Sequence, residues 1–237
     1  MSHEFSRTII ALDTPDEQRA LEIVRALKTK VNIFKVGLEL FCSAGPSVVE
    51  KINTEGCRVF LDLKFHDIPN TVYGAVRAAV NTGAFMFNIH ASGGREMMKK
   101  AKEARDAAFG ETIKNHGFKP LLLAVTVLTS LTDRDMKEIN IEKPSQDQVV
   151  ALAKLAKECG MDGVVASPKE IAAIRRELGA DFVIVTPGVR PAWAASNDQK
   201  RVATPREALD AGADYIVIGR PVTAASDPEK AIENIFC

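Results

Sequence analysis

The sequence has little cysteine, little histidine and no net charge. Its four cysteines, Cys42, Cys57, Cys159 and Cys237, stand far apart with no C-x-x-C spacing. Its four histidines, His3, His66, His90 and His116, form no H-E-x-x-H pattern. These absences remove the usual signatures of a structural zinc site and favour reduced thiols in a cytoplasmic compartment. Lys plus Arg and Asp plus Glu both total 31 among 237 residues, so nothing in the overall charge attracts nucleic acid or an anionic membrane. A local basic pocket for one small anion stays open. No apolar run approaches the roughly 18 residues that suggest a membrane span. The opening Met-Ser-His-Glu-Phe-Ser-Arg has no signal-peptide core. A soluble, cytoplasmic protein is expected, with no metal and no nucleic-acid or membrane partner.

What is present is regular alternation. Hydrophobic residues make up 46% of the chain, enough for one large core. Short apolar segments at 8–13, 33–37, 59–64, 86–91, 121–128, 163–167, 182–186 and 215–219 read as strands. Most are continuous β-branched or Leu-rich runs, as expected of parallel strands covered on both sides. Helical patterns lie between them. Ala20, Ile23, Val24 and Leu27 recur at i, i+3, i+4, i+7 after Thr14-Pro-Asp16-Glu17. Val72, Ala75, Val76 and Ala79 do the same after Pro69, and Val149, Leu152, Ala153 and Ala156 behind Ser145-x-x-Gln148. Ser167-Pro-Lys-Glu170 and Thr204-Pro-Arg-Glu207 each join a capping box to a proline at the first helical position. Gly179 and Gly212 stand where those two helices should stop.

About eight β-then-α units with no linker between them predict one α/β domain over residues 1–237. A closed (β/α)8 TIM barrel is the favoured architecture, with an open doubly wound sheet as the alternative. Two connections, 129–144 and 187–203, exceed a tight turn. Both follow strands, which puts them on the C-terminal face of a barrel as lids or binding loops.

The most informative stretch is Val59-Phe-Leu-Asp62-Leu-Lys64-Phe-His-Asp67-Ile-Pro-Asn-Thr71-Val. Asp62 and Lys64 are two apart on a strand, so alternation sends both to one face and Leu61, Leu63 and Phe65 to the other. Asp67 follows in the loop, close enough to join them. Asp13 and Lys35 end the two preceding strands. One reading is a buried ion-pair set that merely closes the barrel. The other is chemistry, favoured because inward charges are costly and apolar replacements are often as stable.

This stretch resembles the signature of the orotidine 5′-phosphate decarboxylase family. The resemblance continues through Ala11-Leu-Asp13, Lys35-Val-Gly37, Val125-Thr-Val-Leu-Thr129-Ser and Thr186-Pro-Gly-Val-Arg190-Pro. It ends with Asp198-Gln199 and Ile218-Gly219-Arg220-Pro221. The D-x-K-x-x-D core is shared by related sugar-phosphate enzymes; the longer K-F-H-D-I-P-N-T-V string is far more specific. The resemblance implies a cofactor-independent carboxy-lyase converting orotidine 5′-monophosphate to uridine 5′-monophosphate, the last step of de novo UMP biosynthesis. It implies a homodimer with shared sites, in which Lys35, Asp62 and Lys64 come from one subunit and Asp67 and Thr71 from the other.

By the same resemblance Lys64 protonates C6, flanked by Asp62, Asp67 and Lys35. Asp13 and Lys35 bind ribose hydroxyls, Thr129 contacts the pyrimidine, and Arg190, Gln199, Gly219 and Arg220 hold the phosphate. Independently, glycine and arginine beyond the last two strands suit a barrel phosphate site, although a lone G-R pair is a weak signal. Thr129, read from its type alone, is as well explained as a cap. His90 and Trp193 read as a satisfied strand histidine and a loop-packing tryptophan. Two rivals remain: a magnesium-dependent sugar-phosphate decarboxylase or synthase on the same barrel, and a non-catalytic nucleotide-binding barrel.

Overall fold

A computed structural model describes residues 3–191, 193 and 203–236. Among these, the β-branched and leucine-rich runs form eight parallel strands. They are β1 (Thr8–Ala11), β2 (Ile33–Gly37), β3 (Arg58–Phe65), β4 (Met86–His90), β5 (Leu121–Val125), β6 (Gly163–Val165), β7 (Val183–Thr186) and β8 (Tyr215–Ile218). Each pairs with its sequence neighbours, and β1 also pairs with β8, so the sheet closes into the expected barrel rather than staying open. Ile10 marks the seam, lying in register with Phe34 of β2 on one side and Ile218 of β8 on the other.

Side-chain alternation divides the apolar residues into two layers. Ile9, Ile33, Phe60, Met86, Leu123, Val165, Val185 and Val217 fill the barrel. Ile10, Phe34, Leu61, Phe87, Leu122, Val164, Ile184 and Ile216 face the surrounding helices. The run at 121–128 outlasts its ladder. Val127 is still buried in the outer layer although β5 ends at Val125, so burial rather than strand pairing made that run look longer.

The helix Glu17–Leu27 buries the four positions its spacing marks, and Asp16 caps it by accepting from the Gln18 and Arg19 N–H groups. Both expected capping boxes form, Ser167 with Glu170 and Thr204 with Glu207. Gly179 and Gly212 follow at φ 81° and 106°, in the left-handed region that favours glycine. Ser145 does not cap its helix. Ser145–Glu158 starts from Pro144, and the Ser145 N–H donates instead to Asp133 Oδ1 at 3.0 Å. The 129–144 connection holds its own helix, Asp133–Glu138, capped reciprocally by Thr132 and Asp135 and too short to show a periodicity. The stems of the 187–203 connection are joined: Val189 bridges to Ala203, and the Arg190 N–H donates to the Ala203 carbonyl at 2.9 Å.

Buried charge also lies at the opposite end, where the strands begin. Arg105, from the helix Gly94–His116 and only 2% exposed, donates to the carboxylates of Asp162 and Asp106. Arg175, from Ile171–Leu178, donates to Asp214 and to the carbonyls of Gly179, Ala180, Phe182 and Gly212. Asp162 and Asp214 stand immediately before β6 and β8. Each accepts one N–H from the strand before, Leu122 and Ile184, at 2.7 Å. The same clasp recurs two units apart.

Candidate active site

Four charged residues named from the sequence, Asp13, Lys35, Asp62 and Lys64, meet at the C-terminal end of the first three strands. The β2–β3 register sets Lys35 beside Phe60 and Gly37 beside Asp62, so Lys35 reaches up toward the carboxylate. Asp13 Oδ1 lies 3.0 Å from Lys35 Nζ, Lys35 Nζ 3.5 Å from Asp62 Oδ2, and Asp62 Oδ1 2.7 Å from Lys64 Nζ. The order is Asp13, Lys35, Asp62, Lys64, with signs alternating. Side-chain exposure is 12% at Lys35 and Asp62, 30% at Lys64 and 52% at Asp13, so the middle of the row is dry and its ends are wet. A Cβ at position 37 would sit 3.0 Å from Lys35 Nζ; glycine there leaves the ammonium its place. Burial pushes the Asp62 carboxyl up. The charges of Lys35 and Lys64, with hydrogen bonds from Lys64 and Asn88, outweigh it and hold the group below the usual aspartate range.

Asp62 and Lys64 do share the mouth, but simple alternation does not put them there. Leu61 pairs with Phe87 and Phe65 with Ile89, so four steps along β3 match two along β4. Within this bulge Lys64 has φ 52°, a left-handed backbone that costs a non-glycine residue about 1–3 kcal/mol. Its backbone N–H donates to Asn88 Oδ1 at 2.8 Å, and Asn88 Nδ2 donates to Asp62 Oδ1 at 2.7 Å. Asn88 is fully buried.

The row forms one wall of a cavity of about 240 Å³, just under the roughly 300–1,000 Å³ usual for small-ligand pockets, which suits one compact ligand. Its floor is the top of the inner core, at Phe60, Val125, Val165 and Val217. The far wall comes from beyond β5, β7 and β8: Thr129, Gly188, Arg190, Gly219 and Arg220. A Cβ at position 219 would lie 3.3 Å from Asp13 Oδ2, so glycine lets the two walls meet. Charged, apolar and cationic surfaces thus line a single space.

Asp67 and Thr71 do not join that wall on their own chain. Both are exposed, and Asp67 Oδ1 accepts the next backbone N–H, from Ile68, at 2.6 Å. Closeness in sequence to Lys64 therefore does not bring Asp67 to the row of its own chain, which leaves the carboxylate exposed. Gln199 lies outside the described residues. His90 is half-buried and stacks on His66 with ring centroids 5.3 Å apart. Burial, then the charges of His66 and Lys64, pull the His90 imidazole below its usual range. The Trp193 indole N–H faces the Asn234 carbonyl at 3.4 Å.

A family model described as Orotidine 5'-phosphate decarboxylase / HUMPS family matches residues 6–235. The chain belongs to this family. It is 54% identical over 230 residues to the orotidine 5'-phosphate decarboxylase of Trichlorobacter lovleyi, covering 97% of this chain and 93% of that one. It is 52% identical over 237 residues to the enzyme of that name from Syntrophomonas wolfei, covering 97% and 96%. Among solved structures, the orotidine 5'-phosphate decarboxylase of Lactobacillus acidophilus superposes with a TM-score of 0.85 at 42% identity, covering 98% of this chain and 97% of that chain. In this orotidine 5′-phosphate decarboxylase / HUMPS barrel, Asn88 is the mouth residue that sequence reasoning missed. One signal was available: an asparagine inside the otherwise apolar Met86-Phe-Asn88-Ile.

Proposed function

We propose that this chain decarboxylates orotidine 5′-monophosphate to uridine 5′-monophosphate and carbon dioxide in UMP biosynthesis, as one barrel domain and without a cofactor. One observation carries the reading: a single cavity has the Asp13–Lys35–Asp62–Lys64 row on one wall and Arg190 with Gly219–Arg220 on the other. A molecule with a carboxylated base at one end and a phosphate at the other fits that polarity.

Asp62 crowds the C6 carboxylate of the bound nucleotide while the Lys64 ammonium faces C6. The bond from C6 to the carboxylate carbon breaks, its electron pair stays on C6, carbon dioxide leaves, and Lys64 delivers its proton to C6. No electron sink adjoins C6, so the rate enhancement belongs near the top of the roughly 8–23 kcal/mol range. Charge set in place before the substrate arrives, over an apolar floor, is the natural source. At about 4 Å and an effective dielectric near 20, each opposite pair in the row is worth about 4 kcal/mol before desolvation. Asp13 and Lys35 take the ribose hydroxyls, Thr129 the pyrimidine, and Arg190, Gln199, Gly219 and Arg220 the phosphate.

The working unit is a homodimer in the cytoplasm, with Asp67 and Thr71 entering the partner's cavity. The mouth face supports this reading: Leu38, just beyond β2, and Ile68, next to Asp67, are 56% and 68% exposed. Among the described residues no helix is long and apolar enough to cross a membrane.

The deciding assay follows ultraviolet loss of orotidine monophosphate, with and without excess chelator. Conversion that ignores chelator is expected. A well-folded protein that leaves the nucleotide intact would sink the reading and direct attention to sugar phosphates with magnesium. A second assay mixes Lys64→Ala and Asp67→Asn, each inactive alone. Shared sites regenerate one intact site per hybrid dimer, so activity should return; continued inactivity of a proven hybrid refutes the sharing.

A further inference from the structure

Asn88 has none of the roles assigned above. It sits in β4 between Phe87 and Ile89, which both face the helices, and its side chain is wholly buried. Buried amides persist where they are hydrogen bonded, and this one is committed twice, to the Lys64 N–H and to Asp62 Oδ1. Both bonds fall where the β3–β4 ladder is interrupted. The amide oxygen takes the place of the backbone carbonyl that a regular strand pair would offer Lys64. The amide nitrogen and Lys64 Nζ share Asp62 Oδ1, while Lys35 faces Oδ2. One planar group therefore sets the rotation of the carboxylate and anchors the backbone beneath the ammonium.

We propose that Asn88 is a positioning residue for the decarboxylation: it holds Lys64 in its left-handed conformation and aims the Asp62 carboxylate before substrate enters. The proposal rests on the roles given to Asp62 and Lys64 above. The groups facing Asp62 are Lys35 from β2, Lys64 from β3, and Asn88 with His90 from β4; Asp13 lies beyond Lys35 and His66 beyond His90. Removing the amide takes one donor from the ionised carboxylate and leaves its cationic partners in place. Asp62 then protonates at a higher pH than before.

The test is steady-state kinetics of Asn88→Ala and Asn88→Asp across pH, with thermal unfolding measured alongside. Asn88→Ala should lower kcat about ten- to hundredfold, the rate equivalent of one hydrogen bond to a charged group. KM should change less than about threefold, because the phosphate wall is untouched, and the acid limb of kcat should move to higher pH. Asn88→Asp keeps an acceptor for Lys64 but sets a second carboxylate against Asp62, so its acid limb should move further. A kcat within about twofold of the unaltered enzyme in a folded variant overturns the proposal. A lower kcat with an unmoved acid limb and a matching rise in KM also overturns it, since that describes a loosened barrel. Lys64→Ala belongs in the same series. If it retains turnover, the roles of the row fail; if it is dead while the Asn88 variants are not, the positioning role alone fails. Should Asn88→Ala not fold, Asn88→Asp, nearly identical in shape, decides the question.

Discussion

The barrel buries charge at both ends and does so in opposite ways. At the base, the cations are arginines. Arg105 and Arg175 fan out over carboxylates and strand-end carbonyls: all three nitrogens of the Arg175 fork, and Nε and Nη1 of Arg105, donate to protein acceptors. At the mouth, the cations beside the carboxylates are lysines, compact charges on flexible stems that border an open cavity. Planar forks that spend most of their donors on the protein are fasteners. Ammonium groups that keep a side toward empty space have something left to offer a ligand. Burial of charge alone therefore does not mark a site; the direction of the unspent donors does.

Four measurements put that contrast to the test. The largest effect is expected for Lys64→Ala, which should cut turnover more than about a thousandfold while the unfolding midpoint holds. Near-native turnover in the folded variant would remove Lys64 from the chemistry. At the base the pattern should invert. Arg105→Met should lose about 3 kcal/mol of stability, because Asp162 loses its cationic partner, yet keep kcat per folded molecule. A variant that is stable but slow would erase the distinction between the two ends. Arg220→Ala should come next, losing about 2 kcal/mol in kcat/KM for the nucleotide and little for the phosphate-free nucleoside. Equal losses on both would refute a phosphate role.

The smallest effect is in pH. Asp62 has a folded pKa below its unfolded value, so the stability it adds is present above the ordinary aspartate range and is lost only as the pH falls through the folded value. His90 is depressed too. The unfolded chain takes up its proton near pH 6.5 while the folded chain resists, so stability should slope downward below that pH. His90→Gln should flatten the slope in chemical denaturation. An unchanged slope would assign it to another group.

How much of this was legible depended on the range of the interaction. Strands, helix faces and the Ser167 and Thr204 caps are local patterns, and the sequence shows them. The charged row was legible because residue types at three strand ends agree in sign order. The bulge was not, since a lysine at φ 52° carries no local signature of the kind a glycine would. Asn88 was overlooked because an asparagine in a strand looks incidental until its two partners on β3 are known. The base clasps join residues 57 and 39 positions apart, which no local window sees. Asp67 shows the limit of proximity in sequence: three residues after Lys64, it is exposed on its own chain and bonded to the next backbone N–H.

The seam between β1 and β8 gives the cavity a history as well as a shape. Every member of the charged row has been synthesised by residue 64, yet the wall that faces it is complete only with Arg220, after Gly219 closes against Asp13. A ribosome making this chain releases no partial enzyme along the way. Contacts between the first and last strands are the most distant in sequence and among the slowest to form. Activity should therefore switch on in a single late step, when the final strand docks, so that turnover itself reports barrel closure in a refolding experiment.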